Sequence, residues 1–225
     1  MAVNKCVIFA GRPVSKELCT YWADADYVIA ADAGYERALQ AGVEPDLALG
    51  DYDSSPVPKD AKEVICLPAE KDDTDTFFAV KKALEAGCRE IVLLGALGGR
   101  LDHTMANLQT LIFLQQQGVS AMAVEQGQEI TVLGEGTHYI SARPGWYLSL
   151  FSCGEQVQGV TLRGVKYPLQ NADITYLWPV GVSNEFAAER AEITVSKGKL
   201  YCMLCKMEEE RAKQEPFSVL VDIVK

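Results

Sequence analysis

Residues 90–124 read EIVLL-GALGGR-LDHTMANLQTLIFLQQQG-VSAMAV, and this stretch decides the fold. Residues 90–94 form a short apolar run of strand character. A glycine-rich turn follows, and residues 103–117 have the apolar spacing of an amphipathic helix that stops at Gly118. Residues 120–124 return to strand character. Strand, turn, helix and strand make the repeating unit of a parallel sheet covered by helices.

Toward the N-terminus the same alternation continues. Strands are expected at residues 5–10, 27–31, 46–49 and 63–67. Helices are expected at 15–25, where Ser15 can cap, at 35–41, stopped by Gly42, and at 74–86, stopped by Gly87. In the last of these Phe77, Phe78, Val80, Ala83 and Leu84 make one apolar face. Beyond residue 128 the pattern changes. Short strand-like stretches recur at 129–133, 146–151, 158–162, 172–177, 192–195 and 199–205, punctuated by Gly and Pro. The expected architecture is an α/β domain with a mostly parallel sheet over residues 1–127, followed by an all-β sandwich over 128–225. Residues 208–214 read as a solvated charged helix and 217–224 as a final strand.

The chain has 225 residues, of which 48% are hydrophobic and 23% charged, as in a globular protein. Its 31 acidic and 21 basic residues leave a net charge of −10, which excludes a generally basic nucleic-acid-binding surface. The acid is uneven: residues 1–125 hold 19 acidic and 11 basic side chains, and 11 of the 13 Asp. No apolar run reaches the roughly 18–20 residues of a membrane span. The apolar core of residues 1–13 is only Cys6 to Ala10, too short for a signal peptide. Seven irregularly spaced Cys fit reduced thiols and a cytoplasmic location. Cys202-x-x-Cys205 lies in an apolar strand and reads as packing thiols rather than half a zinc site.

Four clusters carry the chemistry, and they fall after the strands, where ligands bind in such sheets. Asp32-Ala-Gly34 is either a cap with a tight turn or part of a cleft. Gly50-Asp51-Tyr52-Asp53-Ser54 can aim two carboxylates at a hard cation, or form an Asx turn. Lys71-Asp72-Asp73-Thr74-Asp75 precedes the strongest helix. Capping explains one of its polar residues but not three carboxylates, and Lys71 is a phosphate-binding candidate. Gly95-Ala-Leu-Gly-Gly-Arg100-Leu-Asp102-His103 brings glycines, a helix N-terminus and an arginine together, as a phosphate site does. It is neither a P-loop nor a Gly-x-Gly-x-x-Gly fingerprint, and no Ser/His/Asp triad is legible. His138 reads as structural. An acidic site that takes a polyphosphate needs compensating cations. Mg2+ is the expected one, with Lys71 and Arg100 in support.

These clusters, in this order, resemble the thiamine pyrophosphokinase family. Pro45-Asp46, Asn107, Gly159-Val-Thr161, Gly164-Val-Lys-Tyr167-Pro-Leu169 and Gly181-Val-Ser183-Asn184-Glu185 fit as well, so the resemblance covers roughly residues 5–205. It implies transfer of the diphosphoryl group of ATP to the hydroxyl of thiamine, giving AMP and thiamine diphosphate. It also implies a homodimer with active sites between subunits. Asp51, Asp53, Asp72 and Asp75 resemble the family's Mg2+-binding and catalytic acids, with the general base left open. Asp32, Lys71, Thr74, Arg100, Asp102, His103 and Asn107 fall on the nucleotide side. Ser183 and Asn184 resemble residues that meet thiamine, and Trp178 is a candidate to stack on its pyrimidine, or else a packing residue. Ala33 and Lys71 depart from the usual Gly and Gln. The other readings are a diphosphotransferase for another hydroxymethyl heterocycle and a non-catalytic nucleotide or thiamine sensor.

Overall fold

A computed structural model describes residues 4–53 and 56–208. Ser54, the charged stretch after Glu208 and the strand expected at 217–224 lie outside the described residues. Nine elements alternate first: β1 (Lys5–Phe9), a 3-10 helix (Lys16–Tyr21), β2 (Tyr27–Ala31), α1 (Gly34–Ala41), β3 (Leu47–Gly50), β4 (Val64–Cys66), α2 (Asp75–Glu85), β5 (Glu90–Leu94) and α3 (Leu101–Gln116). β6 (Ser120–Glu125) completes the parallel part, in which the strands run side by side as β4-β3-β2-β1-β5-β6. Each neighbouring pair in that row is parallel.

Strand alternation explains why both faces are apolar. Cys6, Ile8, Ile29, Leu49 and Leu93 pack with Val80, Ala83, Leu111 and Leu114 of α2 and α3. Val7, Phe9, Val28 and Leu94 face the other way, toward Leu18 of the 3-10 helix and Ala38 of α1. Ile8, Phe9, Ile29 and Leu93 are fully shielded from water. Each such side chain contributes roughly 1.5–3 kcal/mol relative to exposure, so the core sits at the centre of this sheet.

The second half is β7 (Gln128–Leu133), β8 (Gly136–Ser141), β9 (Trp146–Ser152), β10 (Gln156–Arg163), β11 (Leu169–Thr175), β12 (Asn184–Glu185), β13 (Arg190–Val195) and β14 (Leu200–Lys206). β7 turns back antiparallel on β6, and the large sheet runs on through β14, β9 and β12 to ten strands. A four-stranded sheet, β11-β10-β13-β8, covers this antiparallel wing. Leu148, Leu150, Leu200 and Cys202 meet Val160, Leu162, Ile174 and Ile193 in the layer between. The sandwich is therefore present, but one of its two sheets is the continuation of the parallel sheet.

Two strands go unread in the sequence, and one strand expectation needs correction. β8 is an edge strand with four exposed and two half-buried residues, so it lacks the apolar alternation that marks a strand in sequence. β12 has two residues, too few for a periodicity. β11 begins at Leu169, leaving Tyr176 and Leu177 outside it and exposed. Cys202 and Cys205 are three apart on β14 and so point to opposite faces; both are free, as are the other five cysteines.

Candidate active site

The parallel strands all end on one crest, and the chain reverses its direction of progress across the sheet between β1 and β5. Such a switch point is where open α/β sheets bind ligands. Asp32 follows β2, Asp51 follows β3, Lys71–Asp75 joins β4 to α2, and Gly95–Arg100 joins β5 to α3. The crest collects these segments because parallel strands must be joined by crossovers, so every strand enters it in the same direction.

Three of these residues form a closed electrostatic unit. The Lys71 ammonium lies 2.8 Å from Asp51 Oδ2 and 3.0 Å from Asp75 Oδ1, and all three side chains are largely shielded from water. Lys71 and the Asp53 amide hold the Asp51 carboxyl below its ordinary range. Burial raises the Asp75 carboxyl; Lys71 opposes that shift, and Asp51 and Asp32 add to it. Burial alone would lower Lys71, but Asp51 and Asp75 outweigh it and raise the ammonium instead. Two carboxylates of one cluster thus sit in opposite environments.

The neighbouring acids are differently placed. Asp53 is exposed, and its amide donates to Asp51 Oδ1 at 3.3 Å. Asp72 is exposed and lines a shallow groove between α2 and α3 with Phe77, Thr110 and Phe113. Asp73 pairs with Lys81, in the second turn of α2. Thr74 is the N-cap of α2, accepting from the Phe77 amide at 3.1 Å. Asp32 adopts a left-handed backbone (φ 49°) and lines a cavity of about 380 Å³ with Tyr35, Leu39, Tyr52 and Val57. Among the described residues no three acidic, Cys or His side chains converge into a cation cage. The donor set still fits Mg2+, which binds one or two carboxylates and completes its shell with waters and phosphate oxygens.

The glycine turn is pinned from below. Asn107, buried on α3, donates to the Ala96 carbonyl at 2.6 Å and so supports the turn. Gly95 is left-handed (φ 65°), and a Cβ there would lie 2.5 Å from the Arg12 carbonyl oxygen. Arg100 occupies the N-cap position of α3 without a side-chain cap bond. It is exposed and grips Asp102, Nη2 to Oδ2 at 2.7 Å. With that arginine and the His103 amide, the Asp102 carboxyl drops to about 2. His103 is exposed beside it.

The expected thiamine-side residues lie on β12 and the loop before it. Ser183 is exposed, with φ 57°, and its amide donates to Ser149 Oγ at 2.9 Å. Trp178 is exposed, next to Leu177 and Val180. Asn184 is buried, and its amide group is consumed by the chain: Oδ1 accepts from the Tyr167 and Glu185 amides at 3.0 Å, and Nδ2 donates to the Tyr167 carbonyl at 2.7 Å. Its role in the fold is to clamp the loop between β10 and β11. Asn184→Ala is expected to destabilise the protein by about 1–3 kcal/mol in urea unfolding, because backbone partners lose their bonds. A change below a few tenths of a kcal/mol would show that water replaces the clamp.

Three residues escaped the sequence reading. Tyr52 has φ 53° and a buried hydroxyl without a hydrogen-bond partner among the described residues; burial pushes it up to about 12. Glu129 is buried on β7 and accepts from Tyr21 and Arg143, tying the 3-10 helix to the sandwich. Arg12 stands at the end of β1 against the glycine turn. Its position three residues after the end of β1 was the available signal.

The chain is similar in sequence and fold to known proteins. The family model "Thiamin pyrophosphokinase, catalytic domain" matches residues 18–123. The model "Thiamin pyrophosphokinase, vitamin B1 binding domain" matches residues 137–200. The thiamine pyrophosphokinase of Bacillus subtilis (strain 168) is 31% identical over 202 residues, 86% of this chain and 94% of that protein. A Caenorhabditis elegans protein named thiamin pyrophosphokinase 1 is 26% identical over 212 residues, 87% of each chain. The crystal structure of the Bacillus subtilis protein superposes with a TM-score of 0.82 at 28% identity, covering 91% of this chain and all of that one. That of the Geobacillus thermodenitrificans protein gives 0.80 at 30% identity, covering 91% and 99%.

Proposed function

The chain belongs to the thiamine pyrophosphokinase family, enzymes that form thiamine diphosphate from thiamine, and we propose that it does so by moving the diphosphoryl group of ATP as a unit. The thiamine hydroxyl oxygen attacks the β-phosphorus, the bond between that phosphorus and the α-phosphate oxygen breaks, and AMP leaves. The hydroxyl proton passes to a carboxylate of the cluster.

The Asp51–Lys71–Asp75 unit carries this reading. It puts two carboxylates and an ammonium on the crest that also carries the glycine turn and the N-terminus of α3. Diphosphoryl transfer is mainly a matter of positioning and charge stabilisation, and this unit supplies both signs of charge. Asp51 and Asp75, with Asp53 and Asp72 as further candidate ligands, would hold Mg2+, which would neutralise charge on the polyphosphate. Lys71 can turn from the carboxylates to a phosphate oxygen, and Arg100 with the α3 N-terminus offers further donors. Asp32, Thr74, Asp102, His103 and Asn107 shape the nucleotide side.

The vitamin side supports a homodimer with shared sites. Ser183 and Trp178 precede β12 at one edge of the ten-stranded sheet, and Asp51 follows β3 near the other. Eight strand spacings separate β12 from β3, roughly 35–40 Å at ordinary strand spacing. Within one subunit no thiamine molecule bridges that gap, whereas a partner can bring its own Trp178 face to the crest. The exposed apolar run of Leu177, Trp178, Val180 and Val182 suits such a contact. Seven free cysteines favour a reducing, cytoplasmic setting, and no described helix is long and apolar enough to cross a membrane.

The test is to incubate the protein with ATP, Mg2+ and thiamine and resolve the products. AMP and thiamine diphosphate are expected. ADP with thiamine monophosphate would mean transfer of a single phosphoryl group and would refute the mechanism. If another hydroxymethyl heterocycle reacted and thiamine did not, the acceptor would be wrong.

A further inference from the structure

We propose that Arg12 is a nucleotide-binding residue of this enzyme, laying its guanidinium along the Gly98–Gly99 turn to grip the polyphosphate. The inference deepens the proposed function and rests on its placement of ATP at the crest. Arg12 follows β1 at the switch point. Its amide donates to the Gly95 carbonyl at 3.2 Å, so the backbone of the β1 end and the glycine turn are joined. The guanidinium then runs over the turn. A Cβ on Gly98 would lie 3.5 Å from Arg12 Cζ, and one on Gly99 would lie 2.8 Å from Nη1. The missing side chains at 98 and 99 are what let the arginine lie there.

The donors of that guanidinium are open. Among the described residues Arg12 makes no side-chain hydrogen bond, and its charge partner is Glu125 at the end of β6, with Nε and Oε2 3.9 Å apart. Glu125 Oε2 is itself buried and lacks a hydrogen-bond partner among the described residues. At that distance the carboxylate attracts the guanidinium without occupying its N–H groups. Arg100, by contrast, commits Nε and Nη2 to Asp102. Arg12 is about half exposed, so it is accessible from the crest. A guanidinium with free donors, beside glycines and an uncapped helix start, matches the fork geometry of phosphate oxygens. Glu125 is the positioning residue that keeps it over the turn.

The experiment measures binding of a non-reacting ATP analogue, with methylene between the α- and β-phosphorus, in the presence of Mg2+. Arg12→Gln is expected to weaken binding by about 10- to 100-fold, the loss of a charged hydrogen-bonding group. The melting temperature and the KM for thiamine should stay near wild type. Arg12→Lys should recover part of the affinity through charge alone, and Glu125→Gln should weaken binding less than Arg12→Gln. Analogue affinity within twofold of wild type in Arg12→Gln would overturn the proposal. So would equal losses of analogue and thiamine affinity together with a lowered melting temperature, the signature of a structural role. Because the readout is nucleotide binding, it stands apart from the product test: the wrong products would refute diphosphoryl transfer and leave the Arg12 result to be judged alone.

Discussion

Asp51→Asn is expected to lower kcat for thiamine diphosphate formation by about 100- to 1,000-fold, the range seen when one preorganised charged or polar group is lost at a transition state. The substitution keeps the shape and removes one charge. Asp51 is the carboxylate that Lys71 holds ionised at 2.8 Å, and it stands directly after β3 on a rigid strand end. The neutral amide cannot balance Lys71 or bind a hard cation with the same strength, so the polyphosphate loses its frame. Stability should change little, because Lys71 keeps its ion pair with Asp75 at 3.0 Å when Asp51 loses its charge. Asp53→Asn, at an exposed position two residues on, is the comparison. Rates and urea unfolding of both variants check the claim. Near-normal turnover in Asp51→Asn would take this residue out of the reaction.

Gly34→Ala should cost the fold about 3–5 kcal/mol, a large part of the roughly 5–15 kcal/mol that holds a domain folded. Gly34 is buried and opens α1 after the turn at Asp32. A Cβ there would overlap the Phe9 carbonyl oxygen and stand 3.2 Å from that of Ala10. Both oxygens belong to the β1 chain, whose amides and carbonyls are locked between β2 and β5. Neither side can yield without breaking the sheet or pushing α1 off its face, where Ala38 packs against Val7 and Val28. A urea midpoint unchanged from wild type would falsify this account and show that α1 can retreat freely. The same close approach explains why glycine stands at 34 although its φ is ordinary.

Most of the parallel half was legible because its signals are local. Apolar runs such as Tyr27–Ala31 and Glu90–Leu94 are buried on both faces, and glycines stop the helices at 42, 87 and 118. The antiparallel half was legible in kind but less in detail. β8 lies at an edge and is half solvated, and β12 exists because Asn184 and Glu185 pair with Leu148 and Tyr147. Neither has a periodicity of its own to read.

The candidate site divides in the same way. Residue types and their place after strands singled out Asp51, Lys71, Asp75 and the glycine turn, since a parallel sheet brings all strand ends to one crest. Which acids meet was not a sequence property. Asp51 and Asp75 share Lys71 across 20 and 4 residues of chain, while Asp72, adjacent to Lys71 in sequence, faces the groove between α2 and α3. The backbone partners of Asn107 and Asn184, the Ala96 carbonyl for one and Tyr167 and Glu185 for the other, are likewise set only by the folded chain. Arg12 acquired its place only when β1 and β5 became neighbours and set it over Gly98 and Gly99. By itself the sequence determined the fold class and the chemical character of the crest, because these follow from local periodicity and residue type, and the resemblance of its motifs pointed to the family. The tertiary structure alone decided which charges compensate one another and which polar groups stay open to a ligand, because those depend on distances between segments remote in the chain.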